Sequence, residues 1–167
     1  MKAAWIIIPI VLVGGLLAVS AWLVQADEIY APEQPIDFDH KVHVSDYSLD
    51  CLYCHTYASR SPFAGVPAVE RCMGCHLLIA ADKPGVQKLQ EYWQNEAPVP
   101  WVKVHVLPRF VHFNHEAHFR ADVACRECHG QVESMARVAR VASLEMGWCL
   151  ECHRAREASV DCLACHY

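Results

Sequence analysis

The stretches that decide the fold are five copies of one short pattern: Cys51-Leu-Tyr-Cys54-His55, Cys72-Met-Gly-Cys75-His76, Cys125-Arg-Glu-Cys128-His129, Cys149-Leu-Glu-Cys152-His153 and Cys162-Leu-Ala-Cys165-His166. Each copy has two cysteines separated by two residues, with a histidine directly after the second cysteine. The 167-residue chain has ten cysteines, and the five copies use all of them. A single copy would be a moderate signal, whereas five with no cysteine left over indicate one shared chemistry.

The C-x-x-C-H spacing is the attachment sequence of c-type haem. Two thiols bond to the two vinyl positions of one porphyrin, and the adjoining histidine reaches the iron from the same side. The sequence therefore predicts five covalently bound haems c, with all ten cysteines as attachment residues. The proximal iron ligands would be His55, His76, His129, His153 and His166.

Three other uses of paired cysteines fit less well. A disulfide framework would not require a histidine after every second cysteine. Zinc sites built from C-x-x-C pairs, or from one such pair with H-x₃₋₅-H, do not require a histidine directly after every second cysteine. A thioredoxin-like redox site would need one such motif in a βαβ setting rather than five.

A second repeated pattern supplies candidates for the remaining axial positions. It occurs as Phe38-Asp-His40-Lys-Val-His43 and as Phe113-Asn-His115-Glu-Ala-His118. Seven residues separate the first copy from Cys51, and six separate the second copy from Cys125. The chain thus contains one unit twice, at about residues 36–76 and 111–153: F-x-H-x-x-H, a haem motif, a linker and a second haem motif.

Each unit contains two haem motifs and two spare histidines, which favours ligation by two histidines at every iron of the units. On a helical turn, H-x-x-H points both imidazoles to one side, so that they can serve two haems. We expect His40 and His115 to ligate haems near the start of their own units. We expect His43 and His118 to reach neighbouring haems.

The fifth haem motif lies outside both units, eight residues after His153. The missing axial ligand could be His105, Met135, Met146 or, as the weakest candidate, His112. A methionine would raise the potential of its haem relative to a bis-histidine neighbour, although methionines also pack against apolar surfaces. His105 lies in a proline-flanked segment, residues 97–108, that is predicted to be extended and to pack within the domain or against a partner.

The N-terminal residues predict a membrane anchor. Residues 3–24 are uncharged and would span about 33 Å as a helix, enough for a bilayer core. Lys2 precedes this run and Asp27 follows it, so the rest of the chain is expected on the outer side of the cytoplasmic membrane. The alternative is a cleaved signal peptide, since Val24-Gln25-Ala26 resembles a cleavage site. We divide the chain into an anchor, residues 1–26, and a pentahaem domain, residues 27–167.

The predicted fold class is a multihaem cytochrome c with short α-helices and extensive loops wrapped around five haems, low strand content and one N-terminal transmembrane helix. About 28 residues per haem leave no room for a conventional core, so the porphyrins would form it. A surface helix is predicted at residues 86–96, with Val86, Leu89 and Trp93 on one side. The net charge of −5 excludes a nucleic-acid binder that relies on a basic face.

The repeated unit resembles class III multihaem cytochromes. Several stretches resemble more specifically the membrane-anchored pentahaem cytochrome c subunit of alternative complex III, a bacterial quinol:electron-acceptor oxidoreductase. They include FDHKVHV, SPFAGVPAVERCMGCH, WVKVHVLPRFVHFNHEAHF, ECHGQVESM, MGWCLECHR and the terminal CHY. His105, Met135 and Met146 fall within or beside stretches of this kind, which strengthens them as ligand candidates.

That resemblance implies electron transfer without catalysis by this chain. The implied partners are the lipid bilayer, membrane-integral quinol-binding subunits, a large iron–sulfur subunit related to molybdopterin enzymes, and a monohaem cytochrome c or other soluble acceptor. The alternative is an anchored quinol-dehydrogenase cytochrome that feeds electrons to a periplasmic reductase. A catalytic multihaem enzyme would need an open iron position, and the spare ligands suffice for all five irons.

Overall fold

The computed structural model describes residues 14–15 and 29–166. Its regular structure consists of short helices joined by long loops. In chain order these are a π-helical turn at Lys41–Asp46, α1 at Cys51–Cys54, α2 at Val69–His76, α3 at Pro84–Gln94, α4 at His115–Arg120, α5 at Cys125–His129, a 3₁₀ turn at Val132–Ser134, α6 at Met146–Ala155 and α7 at Cys162–Cys165. Among the described residues, β-pairing is confined to an antiparallel bridge between Val111 and His166. Short helices and low strand content agree with the predicted fold class.

Every haem motif forms or ends a short helix, and caps define where several of these helices begin. The Asp50 carboxylate accepts a hydrogen bond from the Leu52 amide at 2.7 Å, and Asp161 accepts one from Leu163 at 2.7 Å. In α5, the Glu127 carboxylate reaches back to the Ala124 amide at 3.0 Å. Helices of four or five residues are not stable alone, so these caps and tertiary contacts hold them.

Gly130 sets the direction of the chain directly after the third haem motif. It ends α5 with φ 70° and ψ −162°, a backbone conformation that is essentially restricted to glycine. A Cβ at this position would lie 2.8 Å from Cγ2 of Val141. The glycine therefore lets the loop that follows His129 turn beside Val141.

An apolar core between α2 and α3 joins the first unit to the segment that follows it. It consists of buried side chains with partly buried neighbours packed against them: Ile36, Met73, Leu89 and Val99, surrounded by Val69, Cys72, Tyr92 and Trp101. Val99 and Trp101 belong to the proline-flanked segment 97–108, so this part of the segment packs within the domain.

Helix α3 matches the predicted surface helix with shifted bounds. It begins at Pro84, because proline is favoured in the first turn of a helix, and it ends at Gln94. Val86 and Leu89 are buried as expected, but Trp93 is 39% exposed. Tyr92 packs against the core instead, so the buried face is rotated by about one residue.

The predicted anchor lies outside the described residues, apart from Gly14 and Gly15. Across residues 14–15 and 29–166, no helix has both the length and the apolar composition needed to cross a membrane. From residue 29 onward, the chain is tied to the rest of the structure by side chains and backbone. Arg140 donates from its amide to the Tyr30 carbonyl at 2.9 Å, and Gln34 pairs with the backbone of Val102 through two hydrogen bonds.

Candidate haem-attachment sites and axial histidines

All ten cysteines of the five motifs are described, and every one is a free thiol. No group of three or more His, Cys, Asp or Glu side chains in the described part of the chain is arranged to hold a metal ion directly. The two thiols of each motif lie on one short helix. Their arrangement in pairs on short helices leaves both sulfurs of each pair available to one prosthetic group.

Several thiols lie close to a thiol of another motif. Burial raises the pKa of Cys51, and repulsion from Cys125, which also hydrogen-bonds to it, adds to the effect. Burial likewise raises the pKa of Cys72, with Cys54 as the next cause, and of Cys149, with Cys165 as the next cause. These neighbours show which motifs meet in space.

The two F-x-H-x-x-H segments adopt the same local geometry. In each, the phenylalanine ring meets the first histidine edge-on and stacks on the second. The ring centroids are separated by 4.8 Å for Phe38–His40, 4.7 Å for Phe113–His115, 4.3 Å for Phe38–His43 and 4.5 Å for Phe113–His118. The sequence repeat is thus a structural repeat, although the first copy lies in a π-helical turn and the second in α4.

The second histidine of each segment lies opposite the last histidine of its own unit. The ring centroids of His43 and His76 are 6.1 Å apart, and those of His118 and His153 are 6.0 Å apart. Two imidazoles that bind one metal from opposite sides place their centroids about 6 Å apart, since metal–nitrogen bonds are about 2 Å long. Both pairs therefore have the separation of two axial ligands of one iron.

The first histidine of each segment lies near the proximal histidine of the unit's first motif. His115 and His129 are nearly parallel, with centroids 6.5 Å apart and an angle of 8° between the rings. Burial lowers the pKa of His40 to about 4, with the charge of His55 as the next cause. Burial also lowers the pKa of His129 to about 4. The imidazoles of His40 and His129 are therefore neutral at pH 7, as ligation requires.

Most of the candidate histidines have a defined tautomer. Their Nδ1 atoms donate to backbone carbonyls: His43 to Asp39 at 2.7 Å, His55 to Gly65 at 2.8 Å, His76 to Ile79 at 3.0 Å, His115 to Pro62 at 2.9 Å, His118 to Asn114 at 2.8 Å, His153 to Ser159 at 2.6 Å and His166 to Phe110 at 3.3 Å. A carbonyl oxygen only accepts, so the proton is on Nδ1 and Nε2 keeps its lone pair. Metal-bound histidines characteristically make this outer hydrogen bond.

Two histidines have a buried nitrogen with no hydrogen-bond partner in the described structure: His40 at Nδ1 and His105 at Nε2. The ring of His105 lies 4.4 Å from that of His129 at an angle of 76°. This separation is too short for two ligands on opposite sides of one metal. His105 therefore lies at the third motif without completing an axial pair in the geometry described.

The two methionine candidates differ in their surroundings. Met135 is half-buried near Gly130, and Met146 is 64% exposed at the start of α6. His112, the weakest candidate, is exposed, and its amide donates to the Cys165 carbonyl at 2.8 Å. The second ligand of the proposed fifth haem stays a prediction.

A cavity of about 680 Å³ opens beside the first motif. Its walls include Cys54, Tyr53, Tyr57, Arg60 and Arg71. Arg60 lies over the Tyr57 ring and Arg71 over the Tyr53 ring, at 4.9 and 5.2 Å. The volume is within the range of cofactor pockets, roughly 300–1,000 Å³. Arginines at such a wall suit the carboxylate groups that a porphyrin carries.

Sequence reasoning missed the ion pair that joins the third motif to the end of α6. Arg156 donates from one nitrogen to both carboxylate oxygens of Glu127, at 2.6 and 2.9 Å. Glu127 lies between the two cysteines of the third motif, and Arg156 directly follows α6. The only sequence signal was the acidic residue inside the C-x-x-C spacing.

Replacing Glu127 by alanine removes this ion pair and the Ala124 cap together. We expect the free energy of unfolding of the haem-loaded protein to fall by about 1 kcal/mol, because exposed ion pairs contribute little and caps about that much. Urea titration measures the change. Glu151→Ala, at an exposed position in α6, is the control and should leave the midpoint within error. An equal loss of unfolding free energy in the Glu127→Ala and Glu151→Ala variants would contradict the stabilising role of the Glu127 ion pair and cap.

No protein-family model matches the chain. The chain is 34% identical over 113 residues to the multiheme cytochrome c subunit of menaquinone reductase from Nitratidesulfovibrio vulgaris strain Hildenborough. The match supports a multihaem cytochrome c. It covers 66% of this chain and 53% of the relative, so the chain spans about half the length of the curated relative it matches.

The residues present fit the prosthetic group of a multihaem cytochrome c. Free thiol pairs, adjoining histidines with Nε2 available, and opposed imidazole pairs are the donor set that c-type haem needs. The described protein atoms also leave space for it, since only Ile36, Met73, Val86, Leu89, Val99 and Ala142 are buried hydrophobic residues. Leu78 is 92% exposed and Phe63 78%, so apolar surface is available to contact porphyrin.

Proposed function

We propose that this chain is an electron-transfer subunit that holds five haems c and is not itself a catalytic subunit. The observation that carries the proposal is the repeated axial geometry, with His43 opposite His76 and His118 opposite His153 at 6.1 and 6.0 Å. Haem bound at these positions supplies one-electron redox chemistry. Irons with two protein ligands have no open position for a substrate, which favours electron transfer over catalysis.

The residues have separate roles in this proposal. The ten motif cysteines hold the porphyrins covalently, and His55, His76, His129, His153 and His166 are the proximal ligands. His40, His43, His115 and His118 are the second ligands of the four haems in the two units. The carbonyls that accept from Nδ1 orient the imidazoles and raise their basicity. His105, Met135 and Met146 are the candidates for the remaining axial position.

The proposed setting is a membrane-bound, quinone-linked complex. The relative's name places that protein in a menaquinone reductase, and the stretches quoted above resemble the pentahaem subunit of alternative complex III. Residues 1–26 would be a single-pass anchor, with the haem domain on the outer side of the cytoplasmic membrane. The partners would be membrane-integral quinol-binding subunits, a large iron–sulfur subunit and a monohaem cytochrome c or other soluble acceptor.

The second candidate setting is the alternative given by the sequence, in which quinol oxidation serves a different electron acceptor. An anchored quinol-dehydrogenase cytochrome that serves a periplasmic reductase has the same haem-binding residues and different partners. Purification of the chain from membranes with its associated subunits distinguishes these settings, because each predicts a different set of co-purifying proteins.

The haem content gives the direct test of the proposed function. We expect a pyridine haemochrome assay of the purified chain to give five haems c, and its intact mass to include five haems and residues 1–26. EPR of the oxidised protein should show low-spin ferric haem. Fewer than five haems, or a high-spin five-coordinate iron in the native protein, would contradict the proposal. A mass that lacks residues 1–26 would instead support the cleaved signal peptide.

A further inference from the structure

The two units dock on each other reciprocally, and this contact involves their first haem motifs. The amides of His115 and Glu116 donate to the carbonyls of Pro62 and Ser61, each at 3.2 Å. In the other direction, the Lys41 amide donates to the Met135 carbonyl at 3.3 Å. The F-x-H-x-x-H segment of each unit, with the helical turn that it begins, therefore lies against the loop that follows the first motif of the other unit.

A direct contact between thiols agrees with this docking. Cys51 of the first motif and Cys125 of the third motif are hydrogen-bonded neighbours. The Ser45 hydroxyl also donates to the Glu133 carbonyl, which lies shortly after the third motif. The first and third motifs are therefore adjacent in space, although the second motif lies between them in the sequence.

Within each unit, the second motif lies next to the second histidine of the F-x-H-x-x-H segment. His43 is opposite His76, and His118 is opposite His153. Thiol neighbours give the same adjacency, with Cys72 near Cys54 and Cys128 near Cys152. The second motif therefore follows the first on one side of the junction, and the fourth follows the third on the other.

The fifth motif lies next to the fourth. His166 pairs with Val111 in the β-bridge, and the Cys165 carbonyl accepts from the His112 amide at 2.8 Å. Cys149 of the fourth motif has Cys165 as its neighbouring thiol. Among residues 29–166, no hydrogen bond, ion pair or ring contact links the second motif to the fourth or the fifth.

We propose that the five haem-attachment motifs are arranged in space in the order second, first, third, fourth, fifth, so that the second and fifth motifs are the two terminal positions. This inference rests on the proposed function for its relevance to electron transfer. Its consequence is that His76 and His166 mark the two positions from which external partners exchange electrons with the array, and that the first motif is internal.

Iron positions in the haem-loaded full-length protein test the order directly. Anomalous scattering at the iron edge, or a cryo-EM map of the purified complex, locates each iron on its histidine. We expect the iron on His76 to have the iron on His55 as its nearest neighbour, and the iron on His166 to have the one on His153. A different nearest neighbour in either case would overturn the order. Fewer than five irons would overturn the proposed function instead, so the two failures are distinguishable.

A pair of matched variants tests the order in solution. The double variant Cys72→Ser, Cys75→Ser removes a terminal haem, so one of the remaining haems loses a neighbour. The double variant Cys51→Ser, Cys54→Ser removes an internal haem, so two of the remaining haems each lose a neighbour. We expect potentiometric titration followed by EPR to show one remaining haem with altered properties in the first variant and two in the second. Equal numbers in the two variants would overturn the order.

Discussion

Replacement of His43 by alanine is expected to convert one of the five proposed haems from low-spin to high-spin iron while the other four stay low-spin. His43 lies opposite His76 at the separation of two axial ligands, and its Nδ1 donates to the Asp39 carbonyl so that Nε2 is available. Removing the imidazole leaves that iron with five ligands, and water or an open position replaces a strong nitrogen ligand. EPR of the oxidised protein and the haem content measure the change together.

The repeat supplies a matched variant for this experiment. His118→Ala removes the equivalent imidazole opposite His153, so it should give the same one-haem change. Lys88→Ala, at an exposed position of α3 outside the haem motifs and both F-x-H-x-x-H segments, should leave all haems as they are. If the His43 variant kept five low-spin haems with full haem content, the axial role of this histidine would be refuted.

Loss of the third haem motif is expected to destabilise the second unit far more than loss of the first motif destabilises the first unit. Four of the buried hydrophobic residues form the core cluster beside α2 and α3, whereas Ala142 is the buried hydrophobic residue of the described second unit. The second unit therefore has little apolar protein core of its own. Its short helices α4 and α5 depend on the haems that they hold, as in other small domains whose folding is coupled to metal binding.

The comparison uses the two double variants at equivalent positions of the repeat. We expect Cys125→Ser with Cys128→Ser to make residues 111–153 sensitive to limited proteolysis and to lower haem content by more than one haem. Cys51→Ser with Cys54→Ser should retain four haems and a protected core. The masses of the surviving fragments identify the unfolded unit. Equal protection of the two variants would show that the buried cluster does not stabilise the first unit selectively.

The parts of the molecule that the sequence predicted depend on local spacing. Two cysteines and a histidine within five residues form one helical turn, and every haem motif does form or end a helix. The F-x-H-x-x-H segments likewise predicted two similar local structures, and the Phe38 and Phe113 rings contact their histidines in the same way. The expectation that each segment serves two haems also followed from spacing, and it stays a prediction.

Other features depend on residues that are far apart in the chain, and no spacing rule indicates them. The Glu127–Arg156 ion pair joins two motif helices across 29 residues. The buried face of α3 was predicted to include Trp93, but Tyr92 contacts the core because Ile36, Met73 and Val99 fix the rotation of the helix. Spacing likewise does not indicate the second ligand of the proposed fifth haem, because that ligand comes from a distant part of the chain.

The amino-acid sequence by itself determined the chemistry of this protein, because haem attachment needs two thiols and one imidazole at fixed short spacing. It also determined the repeat, because equal spacing gives equal local geometry. Only the tertiary structure decided which motifs are neighbours. That adjacency comes from backbone hydrogen bonds between the units, at Pro62 and at Met135, and these depend on how the two units dock rather than on the order of the motifs along the chain.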